Sequence, residues 1–200
     1  MRLSIKNYIF ITILAGLSLL AIILFITALI YPTLPNVDRL ERYRPKQPLQ
    51  IFSHDGYLIQ EFGEERREFF PINRVPQNMI NAILAIEDRR FFEHPGIDIV
   101  GVIRAATKNI TGQGHEGAST ITMQVARNFF LSSEKTFKRK INEILLAIKI
   151  ERQLTKEEIL GLYINQIYLG QRSFGFSAAA NTYYNKSLND LNLAEIALLA

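Results

Sequence analysis

Residues 76–96, PQNMINAILAIEDRRFFEHPG, mark the point at which the chain becomes helical. Pro76 suits the first turn of a helix. The apolar residues after it recur at helical spacing: Met79, Ile80, Ile83, Leu84 and Ile86. This apolar run ends directly at Glu87, where a charged segment begins. The stretch therefore predicts a helix that packs through one face and carries a carboxylate at its end.

Five further segments downstream carry helix signals, either an apolar stripe or a cap. The first is residues 97–110, the second begins at a Ser119 or Thr120 cap and runs to about residue 130, and the third is residues 137–148. The last two are opened by the capping boxes Thr155–Glu158 and Asn192–Glu195. The helix after Thr155 is expected to end at Gly170. Residues 111–117, TGQGHEG, are predicted to form a flexible loop because three of the seven are glycine.

Upstream, residues 8–31 form a 24-residue stretch without a charge. As a helix it would be roughly 36 Å long, enough to cross a hydrocarbon core of about 30 Å with some tilt. It is too long for the apolar region of a signal peptide, so an uncleaved membrane anchor is favoured over a cleaved signal. Basic residues follow the stretch as well as precede it, so charge alone does not decide its orientation.

The chain thus divides into a tail (1–7), a transmembrane helix (8–31), a neck (32–70) and a helical domain (71–200). The neck combines a proline-rich linker with QIFSHDGYLIQEF, residues 50–62, which predicts a short β-hairpin turning at Asp55-Gly56. Residue 200 falls in an apolar helix without a C-cap signal. We therefore expect the domain to be truncated at its C-terminal end.

Composition excludes several classes of site. The chain has no cysteine, which rules out disulfides, a thiol nucleophile and a Cys-ligated zinc site. Gly-x-Ser-x-Gly is absent, and the one Ser-x-x-Lys, at 132–135, has no companion Lys-Thr-Gly, so we infer no acylation site. His94 and His115 lack a third ligand at metal spacing. The net charge of +4 comes without a basic stripe interleaved with aromatic residues, which argues against a nucleic-acid partner.

Glu87 is the first candidate for chemistry. A carboxylate at the edge of an apolar surface loses solvation, which suits it to act as a general acid or base. The alternative is a helix-end carboxylate paired with Arg90 or Arg104. On spacing alone, that alternative is favoured.

Glu143 is the second candidate, in KRKINEILLAIKIE, residues 138–151. Arg139 lies one helical turn before it, so a surface ion pair is the simple interpretation. The three cations at 138–140 can also bind a diphosphate or a metal-diphosphate. Alternatively, they form a solvated face or contact anionic lipid headgroups.

The segment from Gly117 to Thr120 opens a helix, whose free N–H groups can hold an anion, although a plain Ser/Thr cap explains it equally well. Gln124, Arg127 and Asn128 follow on adjacent faces and can line a polar cleft. Residues 129–131, Phe-Phe-Leu, can contact lipid or belong to the core.

These pieces, in this order, resemble the peptidoglycan glycosyltransferase domain of class A penicillin-binding proteins. The resemblance rests on five ordered motifs: Glu87, Asp88, Phe91, His94 and Gly96; then Gly117, Ser119, Thr120, Gln124, Arg127 and Asn128; then Arg139, Lys140 and Glu143; then Ile159, Leu160, Tyr163, Asn165, Tyr168 and Gly170; and finally residues 178–184 with 193–200. The anchor, the neck and residues 50–62 resemble members from Gram-negative bacteria.

The resemblance implies a mainly α, lysozyme-like domain on the periplasmic side of the bacterial inner membrane, with residues 1–7 in the cytoplasm. It implies polymerisation of lipid II into glycan strands with release of undecaprenyl diphosphate, as the N-terminal part of a bifunctional protein. Glu87 matches the general base, and Glu143 matches a carboxylate that assists departure of the diphosphate, directly or through Mg²⁺ or Mn²⁺. The remaining substrate-binding positions are Asp88, Phe91, His94, Ser119, Thr120, Gln124, Arg127, Asn128, Arg139 and Lys140.

The implied partners are lipid II, the growing glycan, membrane lipids and other cell-wall synthesis proteins, and the loop at 111–117 is where a lid would lie. Two other functions remain open. A lytic muramidase also uses carboxylates on such a fold, but needs no diphosphate-binding cluster. A membrane-anchored fragment that binds glycan or proteins would need no turnover.

Overall fold

The computed structural model describes residues 5–41, 43–45, 48–112, 117–132 and 136–200. They belong to two compact units, residues 1–35 and residues 36–200. The second unit therefore includes residues 36–70, which the sequence analysis assigns to the neck.

The first unit is a single helix, α1 (Ile5–Ile30), followed by a short 3₁₀ turn at Tyr31–Thr33. The segment Phe10–Thr33 is long and apolar enough, by length and composition, to cross a membrane, and it lies near the N-terminus. A cleaved signal sequence would meet the same criteria of length and composition. The assignment of this helix as an uncleaved membrane anchor therefore stays a prediction.

The second unit is mainly α-helical, which confirms the expected fold class. In the described part of the chain its helices are α2 (Gln77–Glu87), α3 (Ile99–Thr111), α4 (Ile121–Phe130), α5 (Phe137–Glu151), α6 (Lys156–Gln166), α7 (Phe176–Tyr184) and α8 (Leu193–Leu199). Its strands are β1 (Leu49–Phe52), β2 (Leu58–Phe62), β3 (Arg66–Arg67) and β4 (Ser173–Phe174). β1 and β2 pair antiparallel as the predicted hairpin, while β3 pairs with β4 in parallel.

The core is built around α4, which packs against α5 and α6. Residues 121–126 of α4 are all buried, including Thr122 and Gln124. A helix buried on every side lies at the centre of a domain. Its N-terminus is capped by Thr120, whose Oγ1 accepts a hydrogen bond from the N–H of Met123, as predicted.

Arg39 and Tyr43 pack on the C-terminal end of α4. Tyr43 meets Phe129 edge to face at 4.7 Å, and Arg39 donates to the carbonyl of Phe129 and lies 4.3 Å from the ring centre of Phe130. Both phenylalanines are half-buried. Of the two interpretations of residues 129–131, these contacts favour packing within the protein over exposure to lipid.

The helix opened by Thr155 is shorter than predicted. It ends at Gln166, and the N–H of Ile167 bonds to the carbonyl of Tyr163. Gly170 instead sits in a turn, with φ +88°, and its carbonyl accepts from the N–H of Ser173 at 2.7 Å. Gly170 therefore belongs to the turn that leads into β4 and does not end α6.

Three predicted features lie at least partly outside the described residues. The first is the tail, residues 1–7, of which 1–4 are not described, and the other two lie further along the chain. They are the loop over 111–117, of which 113–116 are not described, and the Ser-x-x-Lys at 132–135, of which 133–135 are not described. His115 falls in the gap at 113–116.

Candidate active site

Glu87 is the last residue of α2, whose Met79 and Ile83 are buried in the core. Its side chain is half-buried, and its Oε2 accepts a hydrogen bond from Nε2 of Gln124 at 2.6 Å. The alternative pairing with Arg90 is not formed, because that guanidinium bonds to Glu93 at 2.8 Å and lies 3.5 Å from Asp98. Glu87 is therefore held by an amide from α4.

Asp88 and His94 join the segment after Glu87 to the start of α4. The Nε2 of His94 lies 3.0 Å from Oδ1 of Asp88, and Oδ2 of Asp88 accepts from the N–H of Ile121 at 3.1 Å. The N–H of Gly96 donates to Nδ1 of His94, which assigns the ring proton to Nε2. Thr120 completes the network by donating to the carbonyl of Gly96 at 2.7 Å.

We call residues 88–96 the anchoring loop. Phe91 within it is fully buried, and the side chain of His94 is only 4% exposed. Neither residue lines the cleft described below, although both were predicted to bind substrate. Their contacts position the backbone after Glu87.

Glu143 is buried, with 2% of its side chain exposed, so the interpretation as a surface ion pair is wrong. Its Oε1 accepts from Arg139, and its Oε2 lies 3.0 Å from Nζ of Lys140. The same ammonium donates to Oγ of Ser119 at 2.9 Å. The buried Nε of Arg139 has no hydrogen-bond partner among the described residues.

A cleft of about 430 Å³ opens between α2, α3 and the start of α4. Of the predicted site residues, six line it: Glu87, Asp88, Ser119, Thr120, Gln124 and Arg127. Asn128, Arg139, Lys140 and Glu143 are not in its wall. Lys140 and Glu143 are nevertheless connected to it through Ser119. Both carboxylates are thus joined by short polar contacts to the wall of one cleft.

Two lining arginines were not predicted to contribute to the site, Arg89 and Arg104. Arg89 stands in the charged segment directly after Glu87, so its position was a usable signal. Arg104 was considered only as an alternative ion-pair partner of Glu87, and the packing of α3 brings it into the cleft wall.

Tyr163, on α6, is buried near Glu87 and Arg127. Burial raises the pKa of its phenol well above its ordinary value, the charge of Glu87 raises it further, and Arg127 lowers it. The residue therefore provides a neutral hydroxyl group close to the carboxylate.

A sequence model of the family described as Transglycosylase matches residues 55–200, which include every site residue above. The chain belongs to the transglycosylase family. Penicillin-binding protein 1A of Neisseria gonorrhoeae is 55% identical over 186 residues, covering 92% of this chain and 23% of the relative. Penicillin-binding protein 1A of Pseudomonas aeruginosa is 52% identical, covering 84% and 21%.

A solved structure, penicillin-binding protein 1A from Haemophilus influenzae, matches 78% of this transglycosylase chain and 14% of its own, with 29% identity and a TM-score of 0.36. The chain spans less than a quarter of the length of these curated relatives, 23% for the first.

Proposed function

We propose that this chain is the glycosyltransferase part of a cell-wall synthase that polymerises lipid II into glycan and releases undecaprenyl diphosphate. The proposal depends on one cleft that has Glu87 on its wall. Two cations, Arg139 and Lys140, are held by Glu143, and Lys140 connects them to this cleft through Ser119. Such a site has a base for a sugar hydroxyl and cations for a diphosphate. Membership of the transglycosylase family supports the same reaction class.

Glu87 is the general base of this proposal. Its side chain lies in the wall of the cleft, where Oε2 is held by Gln124. It takes the proton from the 4-hydroxyl of the acceptor sugar as that oxygen bonds to the anomeric carbon of the donor. The bond from that carbon to the diphosphate breaks, and its electron pair leaves with the diphosphate.

The cations stabilise the negative charge that develops on the leaving diphosphate. Arg127 lines the cleft directly, and the Lys140 side chain is 39% exposed, so it can contact an anion next to Ser119. Glu143 holds Arg139 and Lys140 in place, which keeps these donors oriented before the reaction. Thr120 also lines the cleft, whereas a donor-binding role for Asn128, which lies outside the cleft wall, rests on the resemblance alone.

The residues around Glu143 do not fit a resident Mg²⁺ or Mn²⁺. Both of its carboxylate oxygens already accept from cations, which would repel a divalent ion. Among the described residues there is also no group of three His, Asp or Glu side chains placed to hold a metal. In the proposed reaction Glu143 therefore acts through Arg139 and Lys140 and not through a metal ion.

The substrate carries a lipid, so the proposal places α1 in the bacterial inner membrane, residues 1–7 in the cytoplasm and the domain on the periplasmic side. An anchor keeps the cleft near the bilayer surface, where lipid II resides. Other cell-wall synthesis proteins are proposed partners, without an assigned surface.

The test is Glu87→Gln in the full-length protein in detergent, assayed on lipid II. We expect polymerisation to fall at least about a hundredfold while substrate binding persists. Glu64→Gln is the matched control, because Glu64 is an exposed glutamate that does not line the cleft. It should retain activity within about twofold.

Full activity of Glu87→Gln would remove the base assignment. Cleavage of finished glycan by the unmodified protein would favour a muramidase. Binding of lipid II without turnover would favour a non-catalytic protein.

A further inference from the structure

A further ion pair, half-buried, lies against the anchoring loop and outside the cleft. The Nζ of Lys156, in the first turn of α6, is 2.7 Å from Oε1 of Glu151, the last residue of α5. Thr122 of α4 donates its hydroxyl to the same oxygen at 2.5 Å. The ion pair and this hydrogen bond together join α4, α5 and α6. None of the three residues lines the cleft, and none has a role in the proposed reaction.

Lys156 also contacts the anchoring loop directly, in two ways. Its Nζ donates to the carbonyl of His94 at 2.7 Å, and the same ammonium lies 4.4 Å from the ring centre of Phe91. A desolvated ammonium is attracted to both a carbonyl oxygen and an aromatic face. One charge therefore holds the loop at its fourth and seventh residues.

The loop in turn determines where Glu87 lies. His94 bonds to Asp88, which follows Glu87 in the chain, and Asp88 bonds to the N–H of Ile121. Gly96 packs so closely on α5 that an added Cβ would lie 3.1 Å from the backbone of Ala147. A displacement of His94 would therefore be passed to Glu87 and to the start of α4.

We propose that Lys156 is a positioning residue, which together with Glu151 and Thr122 fixes the anchoring loop and so orients Glu87 in the cleft. Its effect on turnover rests on the proposed function. Its effect on the loop does not, because the contacts exist whatever the reaction is.

The burial of the pair explains why the effect should be specific. The side chains of Lys156 and Glu151 are 19% and 9% exposed, so both charges are largely removed from water. Loss of the ammonium leaves the Glu151 carboxylate and the His94 carbonyl without that donor. Glu151 keeps its bond from Thr122, whereas His94 loses its contact with α6, so the loop is the part that should loosen.

The experiment uses Lys156→Met in the full-length protein, with Lys186→Met as the matched control. Lys186 pairs with Glu195 at the same 2.7 Å but lies away from the loop, between α7 and α8. Two readouts are needed: kcat and KM for lipid II, and hydrogen–deuterium exchange of residues 88–96 compared with α7. We expect Lys156→Met to lower kcat at least about tenfold with KM within about twofold, and to speed exchange in 88–96 but not in α7.

Lys156→Arg, which keeps a charged donor, should recover part of both losses, and Lys186→Met should leave kcat, KM and exchange in residues 88–96 unchanged. Thr122→Val removes only the hydroxyl and gives a milder change of the same kind if Lys156→Met does not fold. Unchanged exchange in 88–96 for Lys156→Met would overturn the proposal. The proposal would also be overturned by a second pair of results. These are a uniform rise in exchange across the domain for Lys156→Met and a normal kcat for Thr122→Val. If the unmodified protein does not polymerise lipid II, the proposed function fails, and exchange alone decides whether Lys156 positions the loop.

Discussion

The side-chain amide of Gln124 donates a hydrogen bond to the carboxylate of Glu87, although the two residues lie 37 positions apart in sequence. Gln124 belongs to the buried central helix α4, so its amide has little freedom to move. Arg127, one turn further along α4, lies 3.5 Å from the Oε1 of Gln124. The base candidate is therefore oriented by the buried central helix of the domain.

This relationship predicts the effect of Gln124→Leu, which has a similar size but no donor. Without the amide, Glu87 can rotate away from the acceptor hydroxyl, and we expect kcat on lipid II to fall by about tenfold to a hundredfold. The measurement is steady-state polymerisation by the full-length protein. Gln77→Leu is the control, because Gln77 makes an amide hydrogen bond of its own on the exposed face of α2. Equal rates for the two variants would show that Gln124 does not orient the base.

Local sequence patterns predicted the helices well. The apolar spacing of α2 and α5, the Thr120 cap and both capping boxes depend on residues within one or two turns of each other, and all of them are present. The predicted end of α6 was wrong because Gly170 belongs to a separate turn and not to the helix C-terminus. Its φ of +88° favours glycine, and its carbonyl accepts from the N–H of Ser173 in the turn that leads into β4.

The site was predicted only in part, because it depends on contacts between separate elements. Helical spacing alone placed Glu143 on a surface, yet Lys140, which contacts it, also reaches Ser119 on another element, and this environment cannot be read from α5. Val37 and Leu40 are buried in the second unit, although their segment has no apolar period from which to predict burial. Arg104 likewise reaches the cleft only through the packing of α3.

Gly96→Ala tests how tightly the anchoring loop is docked. Gly96 has φ +93°, and a Cβ there would meet the backbone of Ala147 and the Cγ of Glu151 at 3.1 Å. Gly56 is a matched control, since it has φ +87° and nothing within 4 Å of the added atom. Both alanines pay a backbone cost of about 1–2 kcal/mol.

Only Gly96→Ala also crowds α5, so we expect it to lower the free energy of unfolding by about 1–3 kcal/mol more than Gly56→Ala does. Urea denaturation of the two variants, followed by circular dichroism, measures the difference. Similar stabilities would mean that the loop can move away from α5 without loss.

Glu195 provides a test of pH dependence outside the site. The hydrogen bond from Lys186 lowers the pKa of the Glu195 carboxyl below the ordinary value. A second hydrogen bond, from the backbone N–H of Asn192 in the capping box, lowers this pKa further. A carboxyl whose pKa is lower in the folded than in the unfolded state stabilises the fold above its unfolded pKa of about 4.3. That contribution disappears as the pH falls through the lowered folded value.

Lys186→Met should therefore raise the pKa of Glu195 toward the ordinary value, without reaching it, since the Asn192 bond remains. Carboxyl-detected NMR of Glu195 measures this directly in a titration between about pH 6 and pH 2. In parallel, the stability advantage of the unmodified protein over Lys186→Met should be largest near neutral pH and shrink in acid. Lys138→Met removes an equal charge from an exposed position on α5 and should leave the titration of Glu195 unchanged. An identical shift in both variants would show that overall charge, rather than the Lys186 contact, lowers the pKa of Glu195.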